Sequence, residues 1–203
     1  GCVAHAATSR SVPIALAVLV VTAGLGFAVE ALGVRTGVPF GHYRYTGVLG
    51  TQAFGVPLVV GPAWTMLAWP SALAARRLVA DPVARVVVGA WALAAADVFL
   101  DPQLVALGAW RWADPSPHLP GVTTVPLTNY LGWLGTALVL SAVLQSFVGD
   151  GRDPDAPALA LYLWLWIGWT VAQLAFLDLR PSAGWGFLAM GLVAVPLTRR
   201  LRI

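Results

Sequence analysis

Long apolar runs broken by short polar stretches set the pattern of this chain. Residues 12–29, 56–75, 122–148, 156–177 and 181–198 carry no charged side chain, and a sixth run, 83–100, is interrupted only near its ends by Arg85 and Asp97. Crossing the hydrocarbon core of a bilayer takes ~20 apolar residues in a helix. The pattern therefore predicts an all-α integral membrane protein with about six transmembrane helices in a single transmembrane domain. Pro57, Pro62, Pro70, Pro126 and Pro196 fall near the ends of these runs or at kinks, which membrane helices accept when neighbours satisfy the freed carbonyls.

Composition agrees with this picture. Of 203 residues 59% are hydrophobic, the mean hydropathy is +0.78, and only 12 basic and 9 acidic side chains are present, too few to coat a water-soluble surface. The chain starts at Gly1 with small residues and no signal-peptide layout, and the expectation is that a further N-terminal helix precedes it. Cys2 is the only cysteine, so an intrachain disulfide or a CxxC metal knuckle is excluded. Every basic residue is arginine. With six crossings Arg10, Arg76, Arg77, Arg85, Arg152, Arg199, Arg200 and Arg202 share one side, and Arg35, Arg44, Arg111 and Arg180 the other. Cytoplasmic loops collect basic residues, which predicts a multi-pass cell-membrane protein with a cytoplasmic C-terminus. Asp150, Asp153 and Asp155 read as a solvated loop.

The chain also resembles itself. Gly41-His-Tyr-Arg-Tyr45 and Gly108-Ala-Trp-Arg-Trp112 share the order Gly-x-aromatic-Arg-aromatic at an offset of 67, and Glu30 aligns with Asp97 at the same offset. Val56-Pro-Leu with Trp64 matches Val125-Pro-Leu with Trp133 at an offset of 69. A helix pair is expected to occur twice, over about 12–75 and 83–148, with a weaker third pair over about 156–198. Copies with an even number of crossings are parallel and related by an axis along the membrane normal. Glu30, Asp97 and Asp178 would then end the first, third and fifth helices, where they could converge.

Acids in an apolar segment are costly and are functional candidates by default. Asp97 and Asp101 lie four apart, one above the other on a helical face, ahead of an expected helix break at Pro102. Two carboxyl groups so placed repel in a low dielectric, and desolvation adds to this, so one is expected to hold its proton at neutral pH. The bland alternative makes Asp101 an interfacial cap and pairs Asp97 with Arg44 or Arg111. Tyr43, Tyr45, Trp110 and Trp112 flank the acids, where ring faces would steady a developing cation by ~0.5–2 kcal/mol each; anchoring at the interface is the simpler account. Asn129 would orient a water or bond a neighbouring helix. His42 is a further candidate for the site lining. Three histidines, no HExxH, no glycine-rich nucleotide loop and no GxSxG leave other common chemistries without their residues. Asp97-x-x-x-Asp101 matches half of a magnesium-diphosphate signature, but the second half is missing.

Taken together, Glu30, Phe40-Gly-His-Tyr-Arg-Tyr-Thr46, Gly55-Val-Pro-Leu58 with Trp64, Asp97-Val-Phe-Leu-Asp-Pro102, Gly108-Ala-Trp-Arg-Trp112 and Val125-Pro-Leu-Thr-Asn-Tyr-Leu-Gly-Trp133 resemble the carotenoid 1',2'-hydratase family. The resemblance covers most of residues 30–133. It implies a carbon–oxygen hydro-lyase adding water to the terminal double bond of an acyclic carotenoid end group. The substrate would be a C50 chain of the bisanhydrobacterioruberin type or a C40 chain such as lycopene or γ-carotene. Asp97, Asp101 and Glu30 would be catalytic. His42, Tyr43, Tyr45, Trp64, Trp110, Trp112, Asn129 and Trp133 would contact substrate, with Arg44 and Arg111 as arginine partners. No metal or redox cofactor is required. The implied partners are a carotenoid drawn from the bilayer and other membrane enzymes of the pathway, with no nucleic acid. Rival readings are a carotenoid end-group cyclase, a non-catalytic carotenoid-binding scaffold and a transporter.

Overall fold

The computed structural model describes residues 1–149 and 155–201, so Asp150, Arg152, Asp153 and Arg202 lie outside the described residues. A short helix α1 (Cys2–Ser9) leads into six long ones: α2 (Val12–Thr36), α3 (Val60–Leu78), α4 (Pro82–Ala106), α5 (Leu127–Phe147), α6 (Ala156–Ala175) and α7 (Arg180–Leu201). Their starts carry ordinary signals. Ser11 Oγ accepts from Ile14 N at 3.4 Å, and Asp81 Oδ1 accepts from Ala84 N at 2.8 Å with Pro82 opening the helix behind it. Four short strands sit in the two long loops: β1 (Tyr43–Tyr45), β2 (Gln52–Ala53), β3 (Val56–Pro57) and β4 (Trp110–Trp112).

The six long helices fall where the apolar runs predict them, with shifted ends. Residues 56–59 and 122–126 are loop or strand, not helix, and α2 continues past residue 29 to Thr36. Five of the six are long and apolar enough to cross a membrane, and this is a multi-pass membrane protein; α3 is the exception. It buries 13 of its 19 residues, whereas α2 buries 6 of 25 along a single stripe, Ala15, Val18, Thr22, Gly26, Glu30 and Gly33. Packed among α2, α4, α6 and α7, α3 presents little surface to lipid. It can therefore carry Thr65, Ser71 and a terminal Arg76-Arg77 without the apolarity a lipid-facing helix needs.

The one proline expected to break a helix does not do so. α4 runs through Pro102 to Ala106, which overturns the break expected there. A proline removes the N–H that would meet the carbonyl four residues back, here Val98 O, and the adjoining Phe99 O also accepts from α6, from Gln173 Nε2 at 2.7 Å. Pro70 similarly leaves Met66 O free to accept from Cys2 Sγ at 3.7 Å.

The charged groups sort by helix end. Arg76, Arg77, Arg85, Arg199 and Arg200 gather where α3 and α7 finish and α4 begins, and Arg77 Nη2 donates to Arg200 O at 3.1 Å. Asp155 is not merely solvated: it takes a two-pronged ion pair from buried Arg10, at 2.6 and 3.1 Å, tying the start of α2 to that of α6. Asp178 does not converge with the other acids. Its side chain is 82% exposed and paired with Arg180 at 3.0 Å, because it lies in the connection between α6 and α7 rather than within a helix.

Candidate active site

The two aromatic-Arg-aromatic segments come together as one antiparallel ribbon, with Tyr43 opposite Trp112, Arg44 opposite Arg111 and Tyr45 opposite Trp110. Gly41 and Gly108 take φ of +85° and +74°, conformations only glycine adopts freely, and so aim each strand off the preceding helix. Thr46 N donates to Ala109 O at 2.9 Å and Ala113 N to His42 O at 2.8 Å, closing the ribbon at both ends. Successive residues of a strand face opposite ways, so the tyrosines and tryptophans share the inner face and the arginines the outer.

Beneath that inner face lies a cavity of about 200 Å³. One water needs only ~10–15 Å³ of such space. Glu30, Asp101 and Asn129 supply its polar lining. Tyr43, Tyr45, Trp110 and Trp112 come from the ribbon, Trp64 and Trp133 from α3 and α5, and Val59, Ala63, Leu100 and Leu104 form the walls where α3 begins and α4 ends. Trp64 and Trp133 stack at 4.1 Å and 12°. Trp64 reaches this place because α2 has no side chain at Gly26, where a Cβ would stand 2.3 Å from its ring.

The carboxyl groups have different company. Glu30 Oε2 accepts from Tyr45 Oη at 2.9 Å and also from Tyr43 Oη. Burial first, and then the Glu30 carboxylate, push both phenols well above the ordinary tyrosine value, so they remain donors. Asp97 and Asp101 instead share one amide: Asn129 Nδ2 donates to Asp97 Oδ2 at 2.8 Å and to Asp101 Oδ2. Asp97 is fully buried, does not reach the cavity, and leaves Oδ1 unpartnered among the described residues. Asn129 is thus an interhelical bond from α5 to α4.

Of the residues singled out in the sequence, the fold brings Glu30, Tyr43, Tyr45, Trp64, Asp101, Trp110, Trp112, Asn129 and Trp133 to this cavity, with Asp97 directly behind. His42 is exposed and absent from the lining, its ring lying over Gly37. Arg44 and Arg111 are also exposed, and neither forms an ion pair among the described residues, so the arginine pairing weighed for Asp97 is not made. Sequence reasoning passed over Tyr130, whose buried hydroxyl has no partner among the described residues. Its place beside Asn129 was the available signal. Among the described residues no three His, Cys, Asp or Glu side chains gather as a metal site would require.

Fold and site define a multi-pass helical membrane protein with an aromatic cavity in which buried carboxyl groups pair with no cation among the described residues. The chain belongs to the carotenoid biosynthesis protein family, which it matches over residues 2–194. It is also 32% identical over 122 residues to bisanhydrobacterioruberin hydratase of Haloarcula japonica, a match spanning 56% of this chain and 40% of that protein. No solved structure matches it.

Proposed function

We propose that this protein is a carotenoid hydratase, a hydro-lyase that adds water to the terminal double bond of an acyclic carotenoid end group. One observation carries the proposal: Glu30 of α2 and Asp101 of α4 line the same apolar, aromatic cavity. The family supports the substrate class and the relative's name supports the reaction. The polyene enters from lipid near the start of α3, where the cavity-lining Val59 is 52% exposed.

Asp101, with Asp97 behind it sharing the Asn129 amide, is the general acid. It protonates the less substituted carbon of the trisubstituted alkene, leaving a tertiary cation on the other. The faces of Tyr45, Trp110 and the Trp64–Trp133 stack steady that charge. Water adds to the cationic carbon and its proton passes to Glu30, held by the two phenols, giving a tertiary alcohol. Return of that proton to Asp101 resets the site. Acid–base assistance of this kind contributes ~10²–10⁴-fold each.

The strand register supports the internal repeat, since Arg44 opposite Arg111 and Trp64 against Trp133 are contacts two copies make across a local two-fold. The gathering of Arg76, Arg77, Arg85, Arg199 and Arg200 at one end supports a cytoplasmic C-terminus.

The test is mass-resolved pigment analysis in hosts accumulating acyclic C50 or C40 carotenoids. Products heavier by one or two waters are expected. Pigment of unchanged mass but altered structure would mean a cyclase, and unaltered pigment with every acyclic precursor would sink the proposal.

A further inference from the structure

The outer face of the β1–β4 ribbon carries a feature the cavity does not use. Arg44 and Arg111 stand directly opposite one another there, and both are exposed. Like charges in that cross-strand position repel. No ion pair relieves them among the described residues, where the pairs formed are Arg10–Asp155 and Arg180–Asp178. The two arginines line one surface cleft together with His42 and Ala113, and Tyr43 and Trp112 form part of its wall. A pair that is unfavourable alone becomes favourable with an oxyanion between its members, because a guanidinium presents a rigid fork of donors that matches phosphate.

We propose that Arg44 and Arg111 form a binding site for the phosphate of an anionic phospholipid. A lipid is the source because β1 and β4 follow closely on the ends of the membrane-crossing helices α2 and α4, which puts the cleft at headgroup depth. Tyr and Trp rings concentrate at that level, where lipid phosphates lie within reach of a guanidinium. The headgroup clips β1 to β4 from outside. The same two strands hold Tyr43 and Tyr45 over Glu30 from inside, so the lipid stiffens the roof of the cavity.

The experiment is thermal unfolding of the purified chain in nanodiscs of phosphatidylcholine alone or mixed with phosphatidylglycerol, with mass spectrometry of retained lipid. Phosphatidylglycerol is expected to raise the parent's unfolding temperature by several degrees. The R44Q/R111Q double variant should be at least as stable as the parent in a maltoside detergent, which has no phosphate to relieve the pair, because the repulsion is gone. It should also lose most of the phosphatidylglycerol increment and retain roughly tenfold less of that lipid. R44K/R111K, which keeps the charge without the fork, should keep less than half the increment. An equal increment in parent and R44Q/R111Q, a full increment in R44K/R111K, or a double variant less stable than the parent in the maltoside detergent would overturn the proposal. Millimolar inorganic phosphate reproducing the whole increment in phosphatidylcholine would overturn the lipid as its source.

Discussion

Two walls of one cavity begin from the same sequence pattern and end with different chemistry. On the α2 side a single carboxyl, Glu30, receives two phenol donors from β1. On the α4 side Asp97 and Asp101 share one amide, and the positions matching the two tyrosines are Trp110 and Trp112. Trp112 Nε1 donates elsewhere, to Phe40 O at 2.9 Å, and Trp110 Nε1 has no partner among the described residues. Donors favour a carboxylate, whereas two carboxyl groups on one donor favour keeping a proton between them. In the proposed mechanism the first wall takes a proton and the second gives one, from one short motif and a change of its aromatic residues. Groups whose surroundings differ in this way are where acid and base roles are found.

The largest expected effect tests the acidic wall. Asp101→Asn keeps the shape and removes the donor, and product formation in membranes, read by pigment mass, should fall ~10³–10⁴-fold. Glu30→Gln should cost less, ~10²-fold, because water can still trap the cation without a base; equal losses would erase the distinction between the walls. Asp97→Asn is expected to cost ~10-fold, since Asp97 acts from behind Asp101, and a loss as large as that of Asp101→Asn would reverse their order. Tyr45→Phe removes one donor from a charged acceptor, worth ~1.5–3 kcal/mol, of which Tyr43 should recover part; the measured rate should drop by several-fold. Smallest in activity but visible in stability is Gly26→Ala, whose methyl would collide with Trp64. A loss of ~1–3 kcal/mol is expected in unfolding of the detergent-solubilised protein.

The helices were legible because lipid imposes a local rule: a run of apolar residues long enough to span the core has to be a helix, whatever it packs against. The helix expected over 56–75 forms as α3 but with less apolarity than its companions, because its surroundings are protein, and the break expected at Pro102 does not occur. Residues of the cavity were legible as costly polar groups in apolar runs, the acids Glu30 and Asp101 and the amide Asn129 among them. Their neighbours were not. His42 and the arginines sit next to the tyrosines in the chain, yet strand alternation turns them outward, and Asp178 resembles the other acids but ends at the surface with Arg180.

Apolar run length and the cost of a buried charge are properties of a residue and its near neighbours, so the membrane class, the six helices and the suspect acids could be read without coordinates. Which acids share a cavity, which of them touches it, and which face of a strand looks inward depend on pairing residues some 67 positions apart. Packing settles such register, because shifting a strand by one residue would exchange its aromatic face for its arginines.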